Sequence, residues 1–413
     1  MLIFYQGILI TRSLESTDPW PARLAVANSL EALAPHFNED LVKPFFEFLI
    51  NKEALGDANS GVRSGMLTAA SKVIDHIGKA RLPDLISTFE TYLAKSSPGN
   101  ETADFVKEAV VILLGRTASH LEVGDPRIPS VVDRLVLALK TPSEQVQVAV
   151  SECLAPLVKF ITPTLGKLAE SQFEDLYNSP KYGERRGAAY GLAGIIRGTG
   201  IAGITRFDLI ERLRTALDDK KRFESRQGAM FALETLSASL GRNFEPYIIE
   251  LLPSLLASFG DGNPDVREAT EDAAKVIMAN LSGYGVKQIL PTLLSGLEEK
   301  QWRTKKGSIE LLGMMSFCSP KQLSLSLPTV IPRLTNVLTD SHTQVRTAAN
   351  RSLKQFGEVI SNPEIQSLVP VLLKALVDPA KTPGAMSSLL KKSFAHYIDS
   401  PSLALVSDTY PFS

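Results

Sequence analysis

The chain has 413 residues, and its 44 Lys and Arg residues against 45 Asp and Glu residues give a net charge of −1. This balance excludes a general polycation that binds any nucleic acid, and it excludes an acidic entropic tail. Two cysteines, Cys153 and Cys318, exclude a disulfide-built secreted protein and indicate a reducing compartment. The length exceeds one ordinary core, so the chain has either several domains or an array of repeats that each pack only on their neighbours.

The chain opens with the apolar stretch MLIFYQGILI, which has no basic region before it and is too short to cross a bilayer. We interpret it as half of a helix pair. Further along, charged residues return on a helical period, and no apolar run reaches the roughly 18–20 residues of a membrane span. The sequence therefore predicts a cytoplasmic protein with no membrane partner.

A short segment that opens a helix recurs along the chain at spacings of 38 to 44 residues. Its copies are Val62-Arg63, Val106-Lys107, Val146-Gln147, Glu184-Arg185, Ser225-Arg226, Val266-Arg267, Thr304-Lys305 and Val345-Arg346. Arg23 extends the series upstream by another 40 residues. A period of this length is the signature of a repeat architecture.

Each repeat is predicted to contain two helices. A proline stands 14 residues ahead of the recurring cation in the later units, as Pro253, Pro291 and Pro332, and it marks the first helix, helix A. A polar turn such as Asp261–Asp265 follows, and its residues favour turns and helix N-caps. Helix B then shows a 3.6-residue apolar period, for example Val345, Ala349, Leu353, Phe356 and Ile360.

No such helix pair can bury its apolar face alone, so stacked pairs must form one continuous core. The period, the proline and the turn predict an all-α fold, a HEAT-repeat α-solenoid of about ten helix pairs in an elongated superhelix. The predicted repeats of this single solenoid, 1–413, are approximately 1–38, 39–79, 80–121, 122–161, 162–201, 202–242, 243–283, 284–321, 322–361 and 362–400, and 401–413 begin a further repeat.

The turns also predict a ladder of ion pairs along the stack. Aspartates precede the recurring arginine by five or six residues in four units. The aspartates are Asp18, Asp57, Asp261 and Asp340, and the arginines that follow them are Arg23, Arg63, Arg267 and Arg346. We expect these arginines to hold repeats together, so replacing Arg267 or Arg346 should loosen repeat packing more than it weakens any ligand.

The sequence predicts no enzyme, metal site or cofactor. The five histidines and two cysteines have no zinc-binding spacing, and no nucleophile elbow or phosphate loop is found. Gly198, Gly200 and Gly203 match a dinucleotide-binding pattern, with Asp218 and Asp219 at the distance of a ribose-binding acid. These glycines lie at the end of a predicted helix B, so we interpret them as a helix terminus.

One segment is basic. Residues 181–226 carry a net charge of +5, and a shorter cluster follows at 300–306. Solvated helix faces would explain the charge, but the turns could also contact the phosphates of structured RNA. The candidate RNA-contacting residues are Lys181, Arg185, Arg186, Arg197, Arg206, Arg212, Arg214, Lys220, Lys221, Arg222, Arg226, Arg303, Lys305 and Lys306.

Several strings resemble a known family. They are YGERRGAAYGLAG at 182–194, FEPYIIELLPSLLASFGDGNPDVR at 244–267, WRTKKGSIELLGMM at 302–315, LTDSHTQVRTAA at 338–349 and FAHYIDSPSLALV at 394–406. They look like the central part of the general-control translational activator, which is itself similar to the HEAT region of fungal translation elongation factor three. The resemblance runs from about residue 10 to Val406.

The resemblance implies a non-enzymatic, ribosome-associated scaffold that conveys the amino-acid starvation signal to the initiation factor two alpha kinase. It also implies an ABC-type ATPase partner for this region, whereas the segment that binds the kinase lies beyond it, so the kinase is reached only through the full-length protein. Because the family protein is several times longer, we expect a fragment. Its terminal repeats would lack polar caps, which predicts marginal solubility.

A second function stays open at this point. HEAT adaptors for protein cargo, of the nuclear-import or phosphatase-scaffold kind, have the same architecture. Such adaptors commonly carry strongly acidic inner surfaces, which the near-zero net charge and the basic segment do not favour. Cations projecting from one edge of the solenoid would favour the ribosome hypothesis, and scattered cations would not.

Overall fold

The computed structural model describes residues 19–51, 54–95, 101–122 and 124–359. Throughout these ranges the regular structure consists of α-helices and short 3₁₀ turns, without strands, which confirms the predicted all-α fold. The stretch MLIFYQGILI, Asp18 and the tenth predicted repeat lie outside the described residues. The chain packs into two compact units, one up to Leu209 and one from Ile210 on.

Nine helices of the described residues lie in the first unit. They are α1 (Trp20–Leu33), α2 (Glu39–Asn51), α3 (Ser60–Leu93), α4 (Glu101–Ala118), α5 (Ile128–Ala138), α6 (Glu144–Leu157), α7 (Leu165–Asn178), α8 (Tyr182–Thr199) and α9 (Ile201–Arg206). Short 3₁₀ turns at Ala34–His36, Ala54–Gly56 and Val158–Phe160 join some of them. The predicted B helices contact one another in sequence, α1 with α3, α3 with α4, α4 with α6 and α6 with α8.

The helices of the second unit begin with α10 (Leu209–Leu217), which starts at the boundary between the units. They continue with α11 (Phe223–Leu240), α12 (Glu245–Ser258), α13 (Pro264–Asn280), α14 (Gly283–Gly296), α15 (Trp302–Cys318), α16 (Pro320–Val337) and α17 (Thr343–Val359). A 3₁₀ turn at Gly241–Phe244 precedes α12. Here α11 packs on α13, α13 on α15 and α15 on α17. Each of the A helices α12, α14 and α16 contacts the B helix that follows it in the chain.

The prolines of the A helices lie inside those helices, as the sequence predicted. Pro253, Pro291 and Pro332 belong to α12, α14 and α16. A proline there removes one main-chain hydrogen bond and bends the helix, and the lost bond is tolerated where the bent face packs on neighbours. The apolar residues beside it, such as Leu252 and Leu255, are buried.

Helix α3 departs from the predicted pattern because no turn separates the second repeat from the third. Its 34 residues run from a helix B directly into the next helix A, with a single non-helical residue, Arg81, at φ −120° and ψ 20°. Pro83 follows two residues later and accounts for the break. Arg81 is held at this point by ion pairs of 3.1 Å to both Glu39 and Asp84.

The glycine pattern at 198–203 is a helix terminus, which confirms its interpretation from the sequence. Helix α8 ends at Thr199, Gly200 has φ 70°, and the six-residue helix α9 begins at Ile201. Only glycine adopts this left-handed conformation without strain. The described residues contain no helix that is both long and apolar enough to cross a membrane.

Candidate nucleic-acid interface

The aspartates of the turns connect neighbouring repeats. In the first unit Asp57 accepts two hydrogen bonds from Arg23 of the preceding repeat, Nε at 2.6 Å and Nη2 at 2.8 Å. Both side chains are fully buried. Asp57 Oδ1 also accepts from the main-chain N–H of Asn59 at 2.9 Å, which closes the turn. The cation of one repeat therefore completes the turn of the next one.

The second unit repeats this arrangement twice. Arg226 donates to Asp261 from Nε at 2.6 Å and from Nη2 at 2.9 Å, and Lys305 donates to Asp340 at 2.7 Å. Each aspartate again accepts from a main-chain N–H two residues later, at 2.8 Å in both turns. The cation that pairs with each aspartate thus lies in the preceding repeat, 34 or 35 residues before that aspartate.

The arginine that follows each aspartate in the same repeat has a different role from the one the spacing suggested. Nη1 of Arg63 donates to the main-chain oxygens of Asp57 at 2.6 Å and Ala58 at 3.1 Å. Arg267 and Arg346 make the equivalent pairs of bonds to their own turns. These arginines hold the main chain of the turn. The sequence predicted a carboxylate as the partner of each arginine, because a sequence cannot show which oxygen a side chain reaches.

The environment of the ladder aspartates favours their charged form. Burial raises the pKa of Asp261, but hydrogen bonds from Arg226 and the Asn263 N–H outweigh it, so the pKa is lowered. Asp340 shows the same balance, with Lys305 and the His342 N–H as the donors that leave its pKa lowered. The ion pairs are therefore intact at neutral pH.

In the first unit the candidate cations differ in exposure. Arg185 is buried, at 3 % exposed, and donates to the Ser179 oxygen at 2.8 Å, so it belongs to the group that holds the turns and does not reach the surface. Lys181 pairs with Glu184 at 3.0 Å, and Arg186 pairs with Glu144 at 2.9 Å. Arg197 and Arg206 are exposed.

These first-unit cations do not share one edge. Lys181 precedes the first residue of α8, whereas Arg197 lies in its last turn and Arg206 ends α9. At 1.5 Å per residue, Lys181 and Arg197 are separated by about 24 Å along the helix. Within this unit the cations are therefore scattered, and their position does not by itself favour the ribosome hypothesis.

In the second unit most of the candidate cations are engaged. Arg214 pairs with Glu211 and Glu250, and Arg222 lies 3.0 Å from Asp219. Arg212 is half-buried on α10, and Arg226 is the ladder residue described above. Lys220 and Lys221, in the turn before α11, are exposed, and neither has a carboxylate partner among the described residues.

The shorter cluster at the start of α15 is divided in the same way. Lys305 is bound in the ladder, and Lys306 lies 3.2 Å from Glu310 and 3.7 Å from Glu271. The guanidinium of Arg303 packs against the ring of Trp302 at 4.6 Å. Arg303 has no carboxylate partner in the described ranges. Among the candidate cations of this unit, Lys220, Lys221 and Arg303 are thus the ones without a carboxylate partner in the described part of the chain.

The described residues contain no group of His, Cys, Asp and Glu side chains that could hold a metal ion. Cys153 is packed against α4, with Sγ 3.6 Å from the Val111 oxygen, and burial raises the pKa of its thiol to about 12. A thiol with this pKa is inert as a nucleophile at neutral pH. Cys318 is exposed at the end of α15.

Helix pairs of about 40 residues, with a bent helix A and an Asp turn bound by the preceding repeat, define a HEAT-repeat protein. A family model described as EF3 N-terminal HEAT repeat matches residues 185–353. A second model, Stalled ribosome sensor GCN1, HEAT repeats, matches residues 6–119. Because relatives named GCN1 are 45–47 % identical to it over 94–97 % of its length, the chain belongs to the GCN1 family.

Relatives of known name agree with this assignment. The chain is 47 % identical over 390 residues to the human stalled ribosome sensor GCN1, covering 94 % of this chain and 14 % of the human protein. It is 45 % identical over 404 residues to the eIF-2-alpha kinase activator GCN1 of Saccharomyces cerevisiae, covering 97 % of this chain and 15 % of that protein. Elongation factor 3 of Gonapodya prolifera is 31 % identical over 225 residues, which cover 54 % of this chain and 21 % of that factor. The chain thus spans about one seventh of the length of its GCN1 relatives.

Proposed function

We propose that this chain is a non-catalytic scaffold segment of a ribosome-binding translational activator, which promotes activation of the initiation factor two alpha kinase in amino-acid starvation. The observation that carries the proposal is the 45–47 % identity, over almost the whole chain, to proteins named as a stalled ribosome sensor and an eIF-2-alpha kinase activator. The protein then acts in the cytoplasm on ribosomes. The ABC-type ATPase partner belongs to the same proposal, and the kinase is reached only through the full-length protein.

The surface proposed to contact ribosomal RNA in the second unit is the turn before α11, with Lys220 and Lys221. Both lysines are exposed and have no carboxylate partner among the described residues, so a phosphate does not have to displace an existing ion pair. Arg226 and Lys305 are left out of this surface because their ladder pairs hold them. RNA backbone recognition needs only cations of this kind at the right spacing.

Co-sedimentation of the chain with ribosomes across a salt series tests the proposal. We expect binding to fall steeply as salt increases, because each phosphate contact releases counterions. The double variant Lys220→Glu and Lys221→Glu should bind more weakly. Its negative slope of log affinity against log salt should become shallower by about 2, because two phosphate contacts are lost. The matched control is Lys287→Glu with Lys321→Glu, which makes the same charge change at two exposed lysines on α14 and α16.

Two results would contradict the proposal. If the folded wild-type chain does not sediment with ribosomes, this segment does not bind the ribosome. That result would favour the hypothesis of a HEAT adaptor for protein cargo. If both double variants lose binding equally, the effect reflects overall charge, and the turn before α11 is not the contact surface.

A further inference from the structure

A groove lies on the second unit between helices α13, α15 and α17. It consists of two cavities, one of about 170 Å³ near the helix N-termini and one of about 240 Å³ further along the helices. Phe259 and Glu271 line both cavities, so the two are adjacent. We call this feature the B-helix groove, and it is separate from the turn with Lys220 and Lys221.

The N-terminal end of the B-helix groove is cationic. Arg267, Arg303 and Lys306 line it, beside Trp302. Nη1 of Arg267 holds the turn oxygens, and in the part of the chain that the structure describes neither Arg267 nor Arg303 has a carboxylate partner. Trp302 is already stacked on His342, with ring centroids 3.8 Å apart and an angle of 10° between the rings. This stack fixes the wall against which the Arg303 guanidinium packs.

The other end of the groove has an apolar floor. Ala274 and Leu311 are each 2 % exposed, Phe259 is 6 % exposed, and the half-buried Met314 completes the floor. Arg351 stands exposed on the rim and forms no ion pair with the described residues. An occupant that matches the whole groove carries a negative charge at one end and an apolar side chain several ångströms further along.

Two acidic side chains decide between the classes of occupant. Glu271, 46 % exposed, lines both cavities, and Glu310, 31 % exposed, lines the larger one. A nucleic-acid strand carries a phosphate at every nucleotide and would bring charge next to both carboxylates. A peptide can place one carboxylate beside the arginines and an uncharged apolar residue beside the glutamates.

We propose that the B-helix groove binds a protein partner through an extended peptide segment with an acidic residue followed by a large apolar one. The acidic side chain pairs with Arg303 and Arg267, and the apolar side chain packs on Leu311 and Met314. Arginine suits the first contact because its planar guanidinium binds a carboxylate through two hydrogen bonds. This inference does not depend on ribosome binding.

The test uses the full chain and a short fluorescein-labelled peptide that has a single Asp followed by a Leu in a Gly and Ser background, the Asp–Leu peptide, with fluorescence anisotropy as the readout. We expect saturable binding, and we expect the double variant Arg303→Glu with Arg351→Glu to weaken it about tenfold or more, which corresponds to about 1.4 kcal/mol or more. Met314→Asp should weaken it as well through the apolar end. The Lys287→Glu and Lys321→Glu control should bind the peptide like the wild type.

A second readout comes from the chain itself, which has two tryptophans, Trp20 and Trp302. In a Trp20→Phe background, Trp302 alone reports on the groove, and its fluorescence should change on addition of the unlabelled Asp–Leu peptide. Circular dichroism of each variant establishes that it is folded. The same peptide with Lys in place of the Asp should not bind.

The proposal is overturned if the Asp–Leu peptide fails to bind the folded wild-type chain, or if it binds the groove variants with unchanged affinity. It is also overturned if a single-stranded oligouridine displaces the bound peptide and loses its own affinity in the Arg303→Glu and Arg351→Glu variant. That last result would assign the groove to RNA.

Discussion

At the scale of single residues, the buried ion pairs of the turns are the most sensitive points of the fold. Arg23 and Asp57 are both inaccessible to water, and their two hydrogen bonds lie between adjacent repeats. Removing one partner leaves the other as an uncompensated buried charge, and this penalty exceeds the strength of the pair itself. A buried pair of the ladder therefore stabilises repeat packing more than a surface ion pair with the same distance between nitrogen and oxygen would.

We expect Arg23→Ala to lower the free energy of unfolding by about 3–5 kcal/mol, because Asp57 keeps its charge in a dry site. Urea denaturation followed by circular dichroism measures the loss. Lys72→Ala is the control, since Lys72 is 53 % exposed and its pair with Glu31 is worth at most about 1 kcal/mol. Equal effects of the two substitutions would contradict the assigned role of the buried pair.

The ladder also predicts how the second unit responds to acid. The pKa of Asp261 is lowered below its ordinary value of 3.8, so its contribution is complete above that value and is lost as the pH falls through the folded-state pKa. Asp261→Asn should therefore be less stable than the wild type at about pH 7, and the difference should shrink towards about pH 2. Urea midpoints at the two pH values measure it. A difference that is constant with pH would show that the charge of Asp261 is not involved.

The sequence predicted that turn residues form a ladder but not which atoms meet. Asp261 and Arg267 are six residues apart, and this recurring spacing predicted ion pairs along the stack without showing which cation each aspartate meets. In the structure the Arg267 guanidinium reaches main-chain oxygens, and the carboxylate accepts from Arg226. The partner 35 residues away is set by how adjacent repeats pack, and a single sequence does not contain that distance.

At the scale of the helix, α8 shows how closely the repeats approach each other. A Cβ atom on Gly187 would overlap the main-chain oxygen of Leu139, and one on Gly194 would overlap that of Ser151. Both obstacles are backbone atoms, which cannot turn aside as a side chain can. Gly187 sets the distance between α8 and the end of α5, and Gly194 sets the distance between α8 and α6, so larger residues at either position require these elements to separate.

We expect Gly187→Ala to destabilise the protein by about 1–3 kcal/mol through this overlap. Gly166→Ala is the matched control, because Gly166 lies in α7 with nothing within 4 Å of the added Cβ, and alanine favours a helix by up to about 1 kcal/mol. Thermal melts of the two variants should shift in opposite directions. A stabilised Gly187→Ala protein would mean that α8 can move away from Leu139 without loss.

Helices were predicted well where the apolar period and the turn residues agreed, and less well where one of them was missing. Gly78 and Pro83 lie where the second and third repeats were predicted to meet, and residue types alone do not show that the helix continues through them for 34 residues. Helix α9 was hidden for a similar reason, since the glycines around it indicated only a helix end. Arg185 was read as a surface cation because charge alone does not reveal burial.

At the scale of the whole molecule, stability in a repeat protein is a sum of repeat and neighbour terms. Helix α15 of the second unit contacts α13, α14, α16 and α17, and the first unit has its own series from α1 to α8. A local defect should therefore loosen the repeats beside it and leave distant repeats intact.

Asp340→Ala tests this locality because it leaves Lys305 without its partner. We expect faster amide hydrogen exchange in α15–α17 and unchanged exchange in α1–α4, measured by mass spectrometry of peptic peptides. The converse variant Asp57→Ala should speed exchange in α1–α3 and spare α15–α17. Loss of protection throughout the chain in either variant would show that it unfolds as one cooperative block.

The pairing of each aspartate with the cation 34 or 35 residues earlier has a consequence for how such arrays grow. A duplication whose ends fall between two helix pairs copies an aspartate together with the next cation, so the new copy finds a donor behind it and supplies one ahead. A duplication or deletion that is not a whole number of repeats long separates the two and leaves a charge without its partner in a dry site. The arrangement thus favours the gain or loss of whole helix pairs.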